Sequence, residues 1–103
     1  MSEIKGFKET TEQMYKLHKL KNSDYAGSVD PFKNFKMCEQ LGICPVEEGM
    51  LVRMSDKMSR ISTLIGENKE AVVTDEKLED TLIDLANYAV ILKCYLESKK
   101  VKK

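Results

Sequence analysis

Apolar positions recur along this chain at helical rather than strand spacing, and a few Pro and Gly residues divide them into four blocks. Ile4, Phe7, Met14, Leu17 and Leu20 fall on one face of a helix predicted from about Glu3 to Lys21, ending near Asn22-Ser23. The stretch Asp24-Tyr25-Ala26-Gly27-Ser28-Val29 has no helical period and reads as a loop. Asp30-Pro31 then supplies an N-cap and a proline at the first helical position, where its missing N–H has no partner to lose. The short helix it opens stops at Gly42. Pro45 opens a third helix in the same way, with Glu47 and Glu48 complementing the positive end of its dipole. Met50, Met54, Met58, Ile61 and Ile65 form its apolar stripe, and Gly66 is its expected C-cap. Thr74 caps the last helix, which is expected to reach Ser98. Ala71-Val72-Val73 is a short β-prone patch, but nothing alternates with period two over a series of segments. The predicted fold class is all-α, a four-helix bundle of three long helices and one short one.

The last helix is apolar on more than one side. Leu78, Leu82, Leu85, Ala89 and Leu92 make one face, and Ile83 and Val90 make another. A surface helix normally buries one stripe, so the second is expected to be covered by another copy of the chain, in a homodimer or homotetramer. Six methionines suit an adaptable core or interface and need no cofactor.

Composition narrows the partners. With 103 residues the chain is expected to form one domain around a single modest core. Lys plus Arg and Asp plus Glu both number 17, so net charge gives no argument for nucleic acid or an anionic membrane. The basic run Lys99-Lys100-Val101-Lys102-Lys103 reads as a solvated, frayed helix end. No signal peptide is recognisable, and no apolar stretch reaches the ~20 residues that span a bilayer. Cys38, Cys44 and Cys94 are odd in number and form no C-x-x-C pair, as expected of reduced thiols in a cytoplasmic protein.

Two polar stripes carry the candidate chemistry. Glu76, Asp80, Asp84 and Asn87 span roughly 80° of the last helix, on a segment that is otherwise largely apolar. Ionised groups in such surroundings are unfavourable unless paired, hydrogen-bonded or bound to metal. Arg53, Asp56, Lys57 and Arg60 span roughly 100° of the third helix, opposite its Met/Ile stripe. The third-helix stripe alone also reads as a solvated face laced with ion pairs. An antiparallel pairing of the two helices would set Asp56 beside Glu76 and Asp80, with Arg53, Lys57 and Arg60 around them. Carboxylate oxygens suit Mg²⁺, with Mn²⁺ the alternative, and nearby cations suit phosphate. Asp56, Glu76, Asp80 and Asp84 are therefore the candidate metal ligands. Asp56, Glu76 and Asp80 are the candidate catalytic groups, one of them orienting or deprotonating water. Tyr25, Phe32 and Phe35 are candidates for stacking on a base and Asn34 for reading its edge, although the phenylalanines also suit ordinary core packing. Lys21 and Asp24 join Tyr25, Asn34, Arg53, Lys57, Arg60 and Asn87 as candidate substrate contacts, with a helix-end charge and a turn former as the plainer readings of those two. His18, the only histidine, has no ligand partner at zinc spacing and reads as a surface or packing residue.

The segment Glu76-Lys77-Leu78-Glu79-Asp80-Thr81-Leu82-Ile83-Asp84-Leu85-Ala86-Asn87-Tyr88 resembles the last metal-binding helix of the MazG-like all-α nucleoside triphosphate pyrophosphatases. Asp80 and Asn87 match the aspartate and asparagine of that motif. Upstream, Lys21-x-x-Asp24-Tyr25, Pro31-Phe32-x-Asn34-Phe35 and Arg53-x-x-Asp56-Lys57-x-x-Arg60 resemble a phage and bacterial family called nucleotide modification associated domain 1. Asp75-Glu76-x-x-x-Asp80-Thr81-Leu82-x-Asp84-Leu85-Ala86 continues that resemblance, which spans about residues 21 to 92. It implies a MazG-like four-helix fold, Mg²⁺, and cleavage of a (deoxy)nucleoside triphosphate to monophosphate and pyrophosphate, in a host cytoplasm if phage-encoded. Two departures oppose turnover: Lys77 stands where the motif has glutamate, and Arg53-x-x-Asp56 replaces E-x-x-E. The competing expectations are a nucleotide- or protein-binding module, such as a phage inhibitor, that has lost hydrolysis, and a purely structural oligomerisation module.

Overall fold

In a computed structural model, residues 2–25, 30–67 and 76–101 are described, with the side chains of 23–25, 67, 76 and 101 excepted. Of the loop expected at 24–29, residues 24 and 25 belong to α1, and the rest of it, the β-prone patch and the Thr74 cap lie outside the described residues. Four helices follow in order: α1 (Phe7–Tyr25), α2 (Lys33–Gln40), α3 (Val46–Glu67) and α4 (Glu76–Val101). The described residues contain no strand, so the all-α expectation holds. None of these helices is long and apolar enough to cross a membrane.

Local chemistry explains most of the boundaries. Asp30 Oδ1 accepts a hydrogen bond from Phe32 N at 2.9 Å in the turn before α2. The helix itself begins at Lys33 with Phe32 as its N-cap, which corrects the expected Asp30 cap and the expected first helical position at Pro31. Lys36 reinforces the turn with an ammonium–carboxylate contact of 2.8 Å to Asp30. Gly42, at φ +75°, takes the left-handed backbone that ends α2 and lets the chain reverse into α3. Two further expectations need correction. α3 runs through Gly66 to Glu67 rather than stopping on it, and α1 extends to Tyr25 through the weak breakers Asn22 and Ser23. Helix propensities of such residues differ by only a few tenths of a kcal/mol, too little to set an end once α1 is anchored elsewhere.

The core sits where the start of α3 meets the end of α4. Val46, Met50 and Tyr95 are buried there, with Phe32, Phe35, Tyr88, Ile91 and Leu92 packed around them. Phe32 meets Tyr95 edge-to-face at 5.4 Å between ring centres. The antiparallel pairing is tied at this end by Lys99 Nζ, 3.3 Å from Glu47 Oε2. Lys99 also lies 5.5 Å from the Tyr95 ring centre, so the first residue of the basic run is engaged and α4 continues to Val101. Glu47 is held below its ordinary carboxyl value first by its own backbone N–H and, against burial, by Lys99. Gly49 permits a close approach: a Cβ there would stand 2.6 Å from Cys38 Sγ.

The remaining apolar stripes are only partly covered. In α1, Met14 and Leu17 are half-buried, but Phe7 and Leu20 are each 62% exposed. Ile4 precedes the helix, separated from it by Gly6 at φ +87°. The inward face expected of α1 is therefore confined to its middle, because α1 rests chiefly on α4. Met58 and Ile65 of α3 are likewise exposed. On α4, Leu78 and Ile83 are buried while Leu82, Val90 and Leu96 are 40–49% exposed.

Candidate functional site

Three helix faces converge on one cavity. Arg53 and Lys57 are one turn apart on α3, while Asp84, Asn87, Tyr88 and Ile91 fall within about 100° of arc on α4. His18, Lys21 and Asn22 share a similarly narrow face of α1. With Asn34 and Phe35 from α2, these side chains line a cavity of about 180 Å³.

Asp84 is its electrostatic centre. Lys21 Nζ lies 2.8 Å from Oδ1 and Lys57 Nζ lies 3.3 Å from Oδ2, so both carboxylate oxygens face ammonium groups. The pairing joins α1, α3 and α4 at one point. The Asp84 and Lys57 side chains keep only 18% and 20% of their exposure, whereas Lys21 keeps 47%. Burial pushes the Asp84 carboxyl up, but the hydrogen bonds and charges of Lys21 and Lys57 outweigh it and hold the group below the ordinary carboxylate range.

The rest of the lining is fixed by packing. The Arg53 guanidinium lies 4.7 Å from the Phe35 ring centre, and its Nη2 donates to the Asn34 carbonyl oxygen at 3.4 Å. Phe35 meets Tyr88 edge-to-face at 6.4 Å. Asn87 Nδ2 donates to the Met14 carbonyl oxygen at 3.2 Å. Since that carbonyl can only accept, the contact fixes the amide orientation and leaves Asn87 Oδ1 as an acceptor. Lys21, Arg53 and Lys57 thus surround a single described carboxylate, and the wall beside them carries two aromatic rings. Such a cavity has a surplus of donors and positive charge suited to phosphate oxygens.

Seven of the residues singled out in the sequence meet here: Lys21, Asn34, Phe35, Arg53, Lys57, Asp84 and Asn87. Asp56, Arg60 and Asp80 are exposed and do not line the cavity. The side chains of Asp24, Tyr25 and Glu76 lie outside the described residues. Among the described residues, no three His, Cys, Asp or Glu side chains form a metal-holding group. Sequence reasoning passed over His18 and Tyr88. Each had a positional signal, His18 one turn before Lys21 and Tyr88 one turn after Asp84.

Among known proteins, the family model described as nucleotide modification associated domain 1 matches residues 21–94. No curated protein matches the chain, and no solved structure does. Of the cavity lining, His18 alone falls outside the matched segment.

Proposed function

This chain belongs to the nucleotide modification associated domain 1 family, and from that premise we propose that it binds a nucleoside triphosphate, the phosphates held by Lys21, Arg53 and Lys57. The observation that carries this reading is the cavity's charge: three cationic side chains around one largely buried carboxylate, next to aromatic walls. Lys21 and Lys57 are held by Asp84, and phosphate oxygens would take over those contacts. Arg53, propped on Phe35, presents a guanidinium that need not be ordered on binding.

The reaction we assign to this site is Mg²⁺-dependent cleavage of the triphosphate to monophosphate and pyrophosphate, within a MazG-like fold. The described donors do not make a ready cage, but Mg²⁺ bound to a nucleotide needs only one or two carboxylates, with water and phosphate completing its shell. Asp84 fits that lesser demand once its lysines turn to phosphate, and Asp80 stands one turn away on the same helix. When bound, the metal would neutralise charge on the departing pyrophosphate. Lys21, Lys57 and Arg53 are the groups proposed to stabilise phosphate charge, and Asp84 is the carboxylate proposed to orient water, since Asp56 and Asp80, the acids expected for that role, are exposed and off the cavity.

Titration with deoxynucleoside triphosphates, followed by pyrophosphate release with and without Mg²⁺, tests both halves. Lys57→Met is expected to weaken binding at least about tenfold, since a charge-assisted hydrogen bond is worth ~1.5–3 kcal/mol. Absence of binding at millimolar nucleotide would overturn the whole reading. Binding without pyrophosphate release at any metal concentration would instead assign a nucleotide-binding module, the reading favoured by Lys77 and Arg53 in place of acids.

We also propose that the protein is a homo-oligomer. Leu82, Ala89 and Leu96 recur at seven-residue spacing on one exposed face of α4. The protomer's radius of gyration, 15.7 Å, exceeds the ~13 Å of a compact domain of this size, as expected for a bundle completed by a second copy.

A further inference from the structure

A second cavity, of about 470 Å³, opens between α1 and α4. It continues the charged one along the same two helices. On α1 its lining steps back from His18 through Tyr15 and Met14 to Thr11, and on α4 it steps forward from Asn87 through Val90 to Cys94. His18, Asn87 and Ile91 border both cavities, so the two adjoin end to end along one groove between the helices. Its ends differ in chemistry. Lys21 and Asp84 mark the charged end, and Tyr15, Phe32 and Val90 wall the apolar end. From Asp84 to Cys94 is ten residues of α4, about 15 Å along the axis, long enough to seat both ends of one nucleotide.

We propose that this apolar chamber is the seat of the nucleobase. The proposal rests on the phosphate reading of the adjoining cavity. A nucleotide is anionic at one end and a flat aromatic ring at the other, and the groove has that same polarity. Tyr15 offers an exposed ring for stacking, with Lys19 Nζ 5.3 Å from its centre. Asn87 stands at the junction, its amide N–H committed to Met14 and its Oδ1 left to accept from an N–H or O–H of the nucleoside. This places the base between α1 and α4. Of the stacking rings expected from the sequence, Phe35 is engaged with Arg53 and Tyr88, while Phe32 lines this chamber.

Cys94 is exposed and lines the chamber, which makes it a reporter. Iodoacetamide alkylation, read by peptide mass spectrometry, is compared with no ligand, with inorganic tripolyphosphate, and with a deoxynucleoside triphosphate. The expected result is protection of Cys94 by the nucleotide at least fivefold beyond any protection by tripolyphosphate. In parallel, Tyr15→Leu should weaken nucleotide binding at least about fivefold, the lower end of a lost base–aromatic stack, and leave tripolyphosphate affinity within about twofold. Equal Cys94 alkylation with both bound ligands, or a Tyr15→Leu protein that keeps full nucleotide affinity, overturns the base seat and leaves the phosphate site standing. Failure of both ligands to bind overturns both.

Discussion

Asp84→Asn removes the only described carboxylate of the charged cavity and leaves Lys21, Arg53 and Lys57 in place. Two effects of opposite sign should follow. The Lys57–Asp84 pair is about four-fifths buried on both sides, so its loss falls between a surface pair and a buried one, at ~1.5 kcal/mol. Lys21 is half exposed and its pair contributes roughly 0.5 kcal/mol, most of it screened by salt. Together the folded state should lose about 2 kcal/mol, a fall in Tm of roughly 10 °C for a domain of this length. Anion binding should move the other way. A carboxylate within ~8 Å of a bound phosphate repels it by about 2 kcal/mol at an effective dielectric near 20, so tripolyphosphate without metal should bind roughly thirtyfold tighter. Urea unfolding measures the first effect and calorimetric titration in EDTA the second. A stability loss below about 0.5 kcal/mol, or weaker tripolyphosphate binding, refutes the claim that Asp84 holds the lysines in place of phosphate.

Three further perturbations test the surrounding structure. Because the folded Asp84 carboxyl gives up its proton at lower pH than the unfolded one, its stabilisation is fully present above the unfolded value of about 3.9 and is lost as pH falls through the folded value. The gap in urea midpoint between wild type and Asp84→Asn should therefore close on acidification below about pH 4, and a constant gap would show that another group is responsible. Gly49→Ala drives a methyl to 2.6 Å from Cys38 Sγ and should destabilise by about 1–3 kcal/mol, with Cys38→Ala restoring much of the loss. Leu82→Glu with Leu96→Glu should convert the oligomer to a monomer by light scattering, whereas a wild-type monomer at high micromolar concentration would discard the second-copy proposal.

Helix type and approximate extent were legible because they depend on local rules. Asp30-Pro31 and Gly42 act through backbone geometry within a few residues: Gly42 ends α2 as expected, whereas Asp30-Pro31 forms the turn before α2, which starts two residues later than Pro31. The misread ends at Ser23 and Gly66 are places where weak local breakers were overridden. At the cavity, Arg53 and Lys57 were legible as an i,i+4 pair, and Asp84 with Asn87 as an i,i+3 pair. His18 reads from the sequence as a surface or packing residue, because its face of α1 has meaning only beside α4.

The sequence by itself determined four helices, which residues share a face of each, and that acids on the last helix need cationic partners. Only the tertiary structure decided which acid meets which cation. Facing residues depend on the rotation and register of α3 against α4, and those are set by packing of Val46 and Met50 against Tyr95. That register turns Asp84 toward Lys57 and leaves Asp56 and Asp80 in solvent. The third participant, Lys21, lies 63 residues from Asp84 in the chain. No local spacing can encode a contact that exists only because α1 lies across the same helix.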